Sequence, residues 1–541
     1  EEFRCDSNLR NESTIFSTNY YFENCTSLQM LSLKNTDVIG PLPAQFTGNN
    51  SLVEIDFRNT GLTGTYNTGY ALYSGMFDDC LDTLEKFSFS STNSIDGGLA
   101  ILADTLYLDF NSQEDLLTYE VLIAGFNADT TFENAVIKGL APDRGLYFPE
   151  STPRLDESFL ADIATKSMVE IGVEVMRPFV GGTIPEVRLE KIVTDTLCFD
   201  FPVNKINDNT ATLELFHGPT MAFKDVGARF MSRCLGQFSN EDEVNVLVAT
   251  SGDTGSAVAS GFFGVEGVKV TILFPKGKVS KFQEYQMSSL GRNIIAVEVD
   301  GTFDDCQSLV KQAFQDKKLN KKYSLSSANS INVARLLPQS LYYFLAYKQM
   351  KQRGIAQEIV ISVPSGNFGN ITAGILAKKM GLPIKRFVAA NNANDTFYQY
   401  IQTGNWQTKP SVQTISNAMD VGAPSNFDRI LYFYNGDYQT ICREISSYTY
   451  SDDETLKRMK SFYLAKNYVL DPHGAVGLLA LEDHLNDSEQ GIFLATAHPK
   501  KFESVVVQAI PGYPIELIDL NGCKKSLIAN NYEAFVGVMG S

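Results

Sequence analysis

From about residue 120 to its end, the chain alternates short apolar runs with amphipathic helical patterns. This alternation limits the possible fold more than any other feature. Val244–Ala249, Val268–Phe274, Ile294–Val299, Glu358–Val363, Arg386–Ala390 and Gly491–Ala495 have the length and apolar content of buried strands. Such strands separated by helices indicate α/β architecture, with mostly parallel sheets and flanking helices. Open sheets of this kind bind ligands at the carboxyl ends of their strands. Glycine-rich segments that directly follow strands are therefore expected to converge, although they lie far apart in sequence.

The first 110 residues have a different texture. Leu28, Leu31, Leu33, Asn35, Val38 and Gly40 recur as Leu52, Ile55, Phe57, Asn59, Leu62 and Gly64, each pair 24 residues apart. The unit resembles a plant-type leucine-rich repeat: Leu31 and Leu33 point inward from a short strand, and the Asn side chain satisfies backbone groups at the turn. Weaker copies carry Phe87 and Phe89, then Leu106, Leu108 and Asn111. The bland alternative is a chance alternation of apolar residues. The expected division is a repeat-like segment at 1–115, a small domain at 116–205 and a catalytic region of two α/β subdomains at 206–541.

Composition excludes several functions. A formal net charge of −18 argues against non-specific binding to nucleic acid or to anionic membrane, but not against a small anionic substrate. No apolar run reaches the length of a membrane span. The chain starts Glu-Glu-Phe-Arg-Cys, with neither a Met nor the apolar core of a signal peptide. No cysteine pair has CxxC spacing. The last five cysteines read as reduced thiols of a cytoplasmic enzyme, whereas the first three suit a disulfide-capped repeat. The four histidines form no helical pair and HExxH is absent, so no metal is expected. GxSxG is absent as well.

Six segments carry chemistry or shape. In Glu214–Asp225, Pro219 and Thr220 read as a helix start that leaves Lys224 in the first turns, where the helix dipole disfavours an ammonium and favours a nucleophilic amine. A surface lysine is the bland alternative. In Val363–Thr372, Gly366 and Gly369 let backbone N–H groups face a single small phosphate at a helix N-terminus; a plain strand–helix turn reads equally well. Ala249–Ser256 offers Ser251, Thr254 and amides to a carboxylate, or is a helix capped by Asp or Ser. Ser327–Arg335 places Asn329, Asn332 and Arg335 three apart, suited to a second phosphate, or is a polar helix start. Leu494–Lys501 puts Thr496 at a strand end, and Asn417–Ser425 is a shaped loop without evident chemistry.

Together, in this order, the segments closely resemble threonine synthases, pyridoxal-phosphate enzymes of fold type II with a tryptophan synthase β-like core. The resemblance runs from about residue 120 to 541. It includes Thr131–Pro149 and Asp471-Pro-His-Gly-Ala475, favours the bacterial and fungal class, and fits poorly at Leu117–Asn127.

The resemblance implies that Lys224 binds pyridoxal 5′-phosphate covalently and moves protons. Gly366, Asn367, Phe368, Gly369 and Asn370 would hold its phosphate, and Thr496 its ring nitrogen. Ser251, Asp253 and Thr254 would lie near the substrate carboxylate and the cofactor, and Asn329, Asn332 and Arg335 at the phosphate of O-phospho-L-homoserine. A phospho-lyase releasing 2-oxobutyrate needs the same groups. A recognition protein, with repeats binding a protein partner beside a degenerate enzyme body, is the reading from another class. The implied compartment is the cytoplasm, or a plastid in a photosynthetic eukaryote.

Overall fold

The computed structural model describes residues 130–541 except 142–144, 150, 181, 239–242, 356–357, 516–518 and 540–541. Ahead of residue 130 it describes only the backbone of eight short strands. The chain divides into two compact units, one of Glu1–Thr130 with Pro142–Gly145 and one of the remainder.

In the first unit Met30–Ser32 pairs in parallel with Glu54–Asp56, with Leu31 opposite Ile55. Glu54–Asp56 pairs in parallel with Lys86–Ser90. The inward-pointing side chains and the turns of the proposed repeats lie outside the described residues. Thr118–Leu122, where the family resemblance is poor, forms a strand antiparallel to Lys86–Ser90.

The second unit holds two sheets. The larger runs Ile445–Thr449, Ile384–Asn391, Ile359–Pro364, Gln490–Ala495, Thr210–Glu214 and Val203–Lys205, parallel except for the last pair. The smaller runs Ser324–Ser327, Val244–Ala249, Val268–Pro275, Ile294–Asp300 and Lys525–Ala529, parallel throughout. Central strands such as Val244–Ala249 and Ile359–Pro364 are buried at every residue, which is why they read as continuous apolar runs rather than alternating ones. All six expected strands are present, with ends within two residues of expectation.

Sequence patterning passed over other strands. Ser324–Ser327 is Ser-Leu-Ser-Ser, and its hydroxyls are tolerated because the fold supplies partners: Ser326 Oγ donates to the Val136 carbonyl at 3.0 Å. Lys525–Ala529 lies at an edge with four of its five residues exposed, so it has no apolar signature.

Helices occupy the crossovers. The helix expected to open at Pro219-Thr220 instead begins at Lys224 and runs to Phe238. Met221 has φ 57°, a left-handed conformation that interrupts a helix. Thr220 is engaged elsewhere, donating through its amide and hydroxyl to the Asp225 carboxylate at 2.9 and 2.6 Å. Gly218 approaches this carboxylate so closely that a Cβ there would meet Asp225 Oδ2 at 2.4 Å.

Candidate active site

Strand ends converge as parallel topology predicts. The segments after Ile359–Pro364 and Gln490–Ala495 of the larger sheet and after Val244–Ala249, Ile294–Asp300 and Ser324–Ser327 of the smaller line one cavity. Lys224, Ser251, Asp253, Thr254, Asn329, Arg335, Gly366, Asn367, Phe368, Gly369, Asn370 and Thr496 all face it.

Lys224 is held beside Thr496 by backbone pairing. The Phe223 amide donates to the Thr496 carbonyl at 2.8 Å, the His498 amide to the Met221 carbonyl at 3.0 Å, and Ala222 bridges Ala497. Burial pushes the Lys224 amine down to about 8. The Arg335 and Lys501 cations add to this, and the Asp253 carboxylate opposes it. The leading cause of this lowering is burial.

Burial alone would raise Asp253, but Lys501, Lys224 and a hydrogen bond from Gln283 Nε2 (2.9 Å) outweigh it and hold the carboxyl at about 2. Its ion pair with Lys501 spans 3.0 Å. Asp253 opens the helix Asp253–Phe262, but neither Asp nor Ser caps it. Thr250 Oγ1 accepts from the Gly252 and Gly255 amides, both at 2.9 Å, and Gly252 turns the chain at φ 131°.

The segment 365–370 wraps the N-terminus of the helix Gly369–Lys379. Phe368 supplies the turn at φ 59°, so the first amides of the helix point outward without intrahelical partners. Gly366 passes so close to the 417–425 loop that a Cβ would lie 2.7 Å from Met419 Cα. Asn367 is clamped, donating to Ser330 Oγ at 2.6 Å and accepting from the Ser425 amide at 2.6 Å. Asn370 accepts from the Tyr343 hydroxyl at 2.8 Å, and its buried side-chain nitrogen has no hydrogen-bond partner.

Asn332 departs from expectation. It does not line the cavity. Its amide donates to the Val136 and Ser327 carbonyls, both at 3.0 Å, and its oxygen caps the helix Val333–Leu336 by accepting from the Ala334 amide. With no donor left it cannot bind a substrate phosphate, because spacing along a helix does not reveal which members are consumed by capping. Asn329 stays at the cavity, donating to the Ala249 carbonyl at 2.9 Å. Arg335 is buried, donates to the Ala328 carbonyl and has an unpartnered Nε. Burial lowers it to about 10, a cation in need of an anion.

Sequence reasoning assigned no role to His473, Lys501, Phe303, Gln307 or Met419. His473 Nδ1 lies 2.7 Å from Asp471 Oδ1, and its Nε2 accepts from the Ala418 amide at 3.2 Å, which places the proton on Nδ1. The loop 417–425 is thus a cavity wall: Ala418, Met419 and Val421 face inward. The Asp-Pro-His order was the available signal, since an Asp cap brings its carboxylate back to the third residue.

The residues fit pyridoxal phosphate: an unpartnered buried donor at Asn370, a helix N-terminus for the phosphate and a deprotonatable buried lysine. Fold and site define a pyridoxal-phosphate-dependent enzyme of fold type II, and residues 207–495 match the family model of pyridoxal-phosphate dependent enzymes. Residues 124–197 match the model of the threonine synthase N terminus. The chain is 46% identical over 378 residues to threonine synthase of Haemophilus influenzae, covering 70% of this chain and 87% of that protein. It is 44% identical over 396 residues to that of Escherichia coli, covering 72% and 90%. The crystal structure of the Escherichia coli threonine synthase superposes with a TM-score of 0.72 at 40% identity, over 76% of this chain and 97% of that one. That of yeast gives 0.69 at 32% identity, over 81% and 99%. The chain belongs to the threonine synthase family.

Proposed function

We propose that this chain converts O-phospho-L-homoserine and water to L-threonine and phosphate. The observation that carries the reading is the convergence on one cavity of a lysine with a weakened ammonium, a phosphate-binding helix N-terminus and a separate buried cation, Arg335. When bound, pyridoxal phosphate supplies an electron sink for the carbanions formed next to the substrate nitrogen.

Lys224 holds the cofactor and is the base that takes the α-proton and moves the β-proton as phosphate leaves Cγ and water adds at Cβ. The amides at 366–370 would hold the cofactor phosphate, and the unpartnered Asn370 Nδ2 would donate to the cofactor. Thr496 would meet the cofactor's pyridine nitrogen, and a hydroxyl there rather than a carboxylate would leave that nitrogen unprotonated. Ser251, Thr254 and the N-terminus of Asp253–Phe262 orient the substrate carboxylate. Asn329 and Arg335 take its phosphate, Arg335 through the Nε that the protein leaves unpaired. A cytoplasmic or plastid compartment suits this chemistry. Among the described residues no helix is long and apolar enough to cross a membrane. For residues 1–115 the pairing of Met30–Ser32 with Glu54–Asp56, 24 residues further on, supports reading this pair as leucine-rich repeats, a module that would serve a protein partner.

The test is to supply O-phospho-L-homoserine and measure phosphate, threonine and 2-oxobutyrate together, with Lys224→Ala as control. Equal phosphate and threonine, both lost in the variant, are expected. Phosphate accompanied by 2-oxobutyrate would make the chain a phospho-lyase.

A further inference from the structure

Lys501 is a fully buried lysine that no step above uses. It lies in the turn Pro499–Phe502, just beyond the strand end that carries Thr496. Its ammonium lies 3.0 Å from Asp253 Oδ1, 2.7 Å from the Thr220 carbonyl and 3.0 Å from Gln286 Oε1. An ammonium has three donors; two are given to the Thr220 carbonyl and Gln286 Oε1, and the charge faces the Asp253 carboxylate. Burying such a cation costs desolvation that an apolar side chain would avoid, so its packing alone does not account for it. Its partners do. Thr220 also grips Asp225, at the start of the helix that presents Lys224, and Asp253 lies between Lys501 and Lys224 in charge.

We propose that Lys501 is a positioning residue for Lys224: it binds the Asp253 carboxylate and the Thr220 carbonyl at once, so that this carboxylate, which lines the same cavity as Lys224, is already neutralised and leaves the Lys224 amine free to lose its proton. The charged groups acting on Lys224 are Asp253, Arg335 and Lys501, and those acting on Asp253 are Lys501, Lys224 and His473. Asp225, next to Lys224, is turned toward Thr220. Removing Lys501 deletes a like charge and unmasks an opposite one, and both changes favour the Lys224 ammonium. The low value of the Lys224 amine, about 8, agrees with this arrangement. The proposal rests on Lys224 being the lysine that binds the cofactor.

The experiment uses the full chain freed of cofactor. Pyridoxal phosphate is added back across a pH series, and the rate of its covalent capture is followed by absorbance. Borohydride reduction and peptide mass then locate the modified lysine. Label found at a lysine other than Lys224 would remove the premise, and the proposal with it. With label at Lys224, Lys501→Met is expected to raise the midpoint of the pH–rate curve by about 1 pH unit, roughly a tenfold slower capture at a fixed pH below it. Lys501→Arg should restore most of the shift. An unmoved midpoint in Lys501→Met overturns the proposal while leaving the Lys224 assignment intact. Should Lys501→Met not fold, Lys501→Gln takes its place, with the same rise of the midpoint expected and an unmoved midpoint overturning the proposal.

Discussion

Asn332 and Arg335 lie three residues apart in one segment, yet the fold gives them opposite tasks. Replacing Asn332 by Ala removes a helix cap and two buried hydrogen bonds, so we expect a loss of about 1–3 kcal/mol in denaturant unfolding. The KM for O-phospho-L-homoserine should stay unchanged; a raised KM at undiminished stability would return Asn332 to the substrate site. Replacing Arg335 by Met should instead raise KM strongly, because Arg335 lines the cavity and is a buried cation with an unpartnered Nε. Asp253 links residue chemistry to acid stability. Its carboxyl sits at about 2 in the fold and near the ordinary aspartate value of about 3.9 in the unfolded chain. Its charge therefore stabilises the fold fully above about pH 4, and that contribution, about 2 kcal/mol, is lost as pH falls toward 2. Asp253→Asn should be less stable at neutral pH, with a shallower decline of unfolding free energy across that window. An unchanged slope would mean that Asp253 is not the carboxylate responsible.

Close approach between elements governs the geometry around the cavity. The helix Lys224–Phe238 passes so near Val333–Leu336 that a Cβ at Gly227 would lie 2.8 Å from the Arg335 carbonyl oxygen and 3.1 Å from its Nε. Gly227→Ala should therefore displace Arg335, lower stability by about 1–3 kcal/mol and raise the KM for the phosphorylated substrate. Thermal unfolding and steady-state kinetics read the two effects separately, and a change in stability without a change in KM would show that Arg335 does not hold substrate. At this scale the sequence was partly legible. Buried strands such as Val244–Ala249 announce themselves because both faces are covered and every side chain is apolar. Ser324–Ser327 and Lys525–Ala529 do not, because their stability comes from neighbours rather than from their own side chains.

For the whole molecule, the second compact unit contains all the cavity residues, and the matches to the two family models run from residue 124 to 197 and from 207 to 495. A chain starting at residue 124 should therefore fold, bind pyridoxal phosphate and form threonine at a rate within a few-fold of the full chain. Loss of cofactor binding in that shorter chain would show that the first unit is needed for the fold. The sequence by itself determined the α/β class and the chemistry-bearing segments, because periodicity and glycine placement are local properties that survive without a fold. Lys224 and the 366–370 loop were marked by the ordered series of segments, since each alone had a bland alternative. Only the tertiary structure decided which polar groups remain for ligands. Asn332 is consumed as a cap, Thr250 caps where Asp or Ser was expected, and Lys501 is sealed against Asp253 across about 250 residues of chain. Hydrogen-bond partners and desolvation depend on what packs against a group in space, and residues so distant in sequence carry no local trace of that contact.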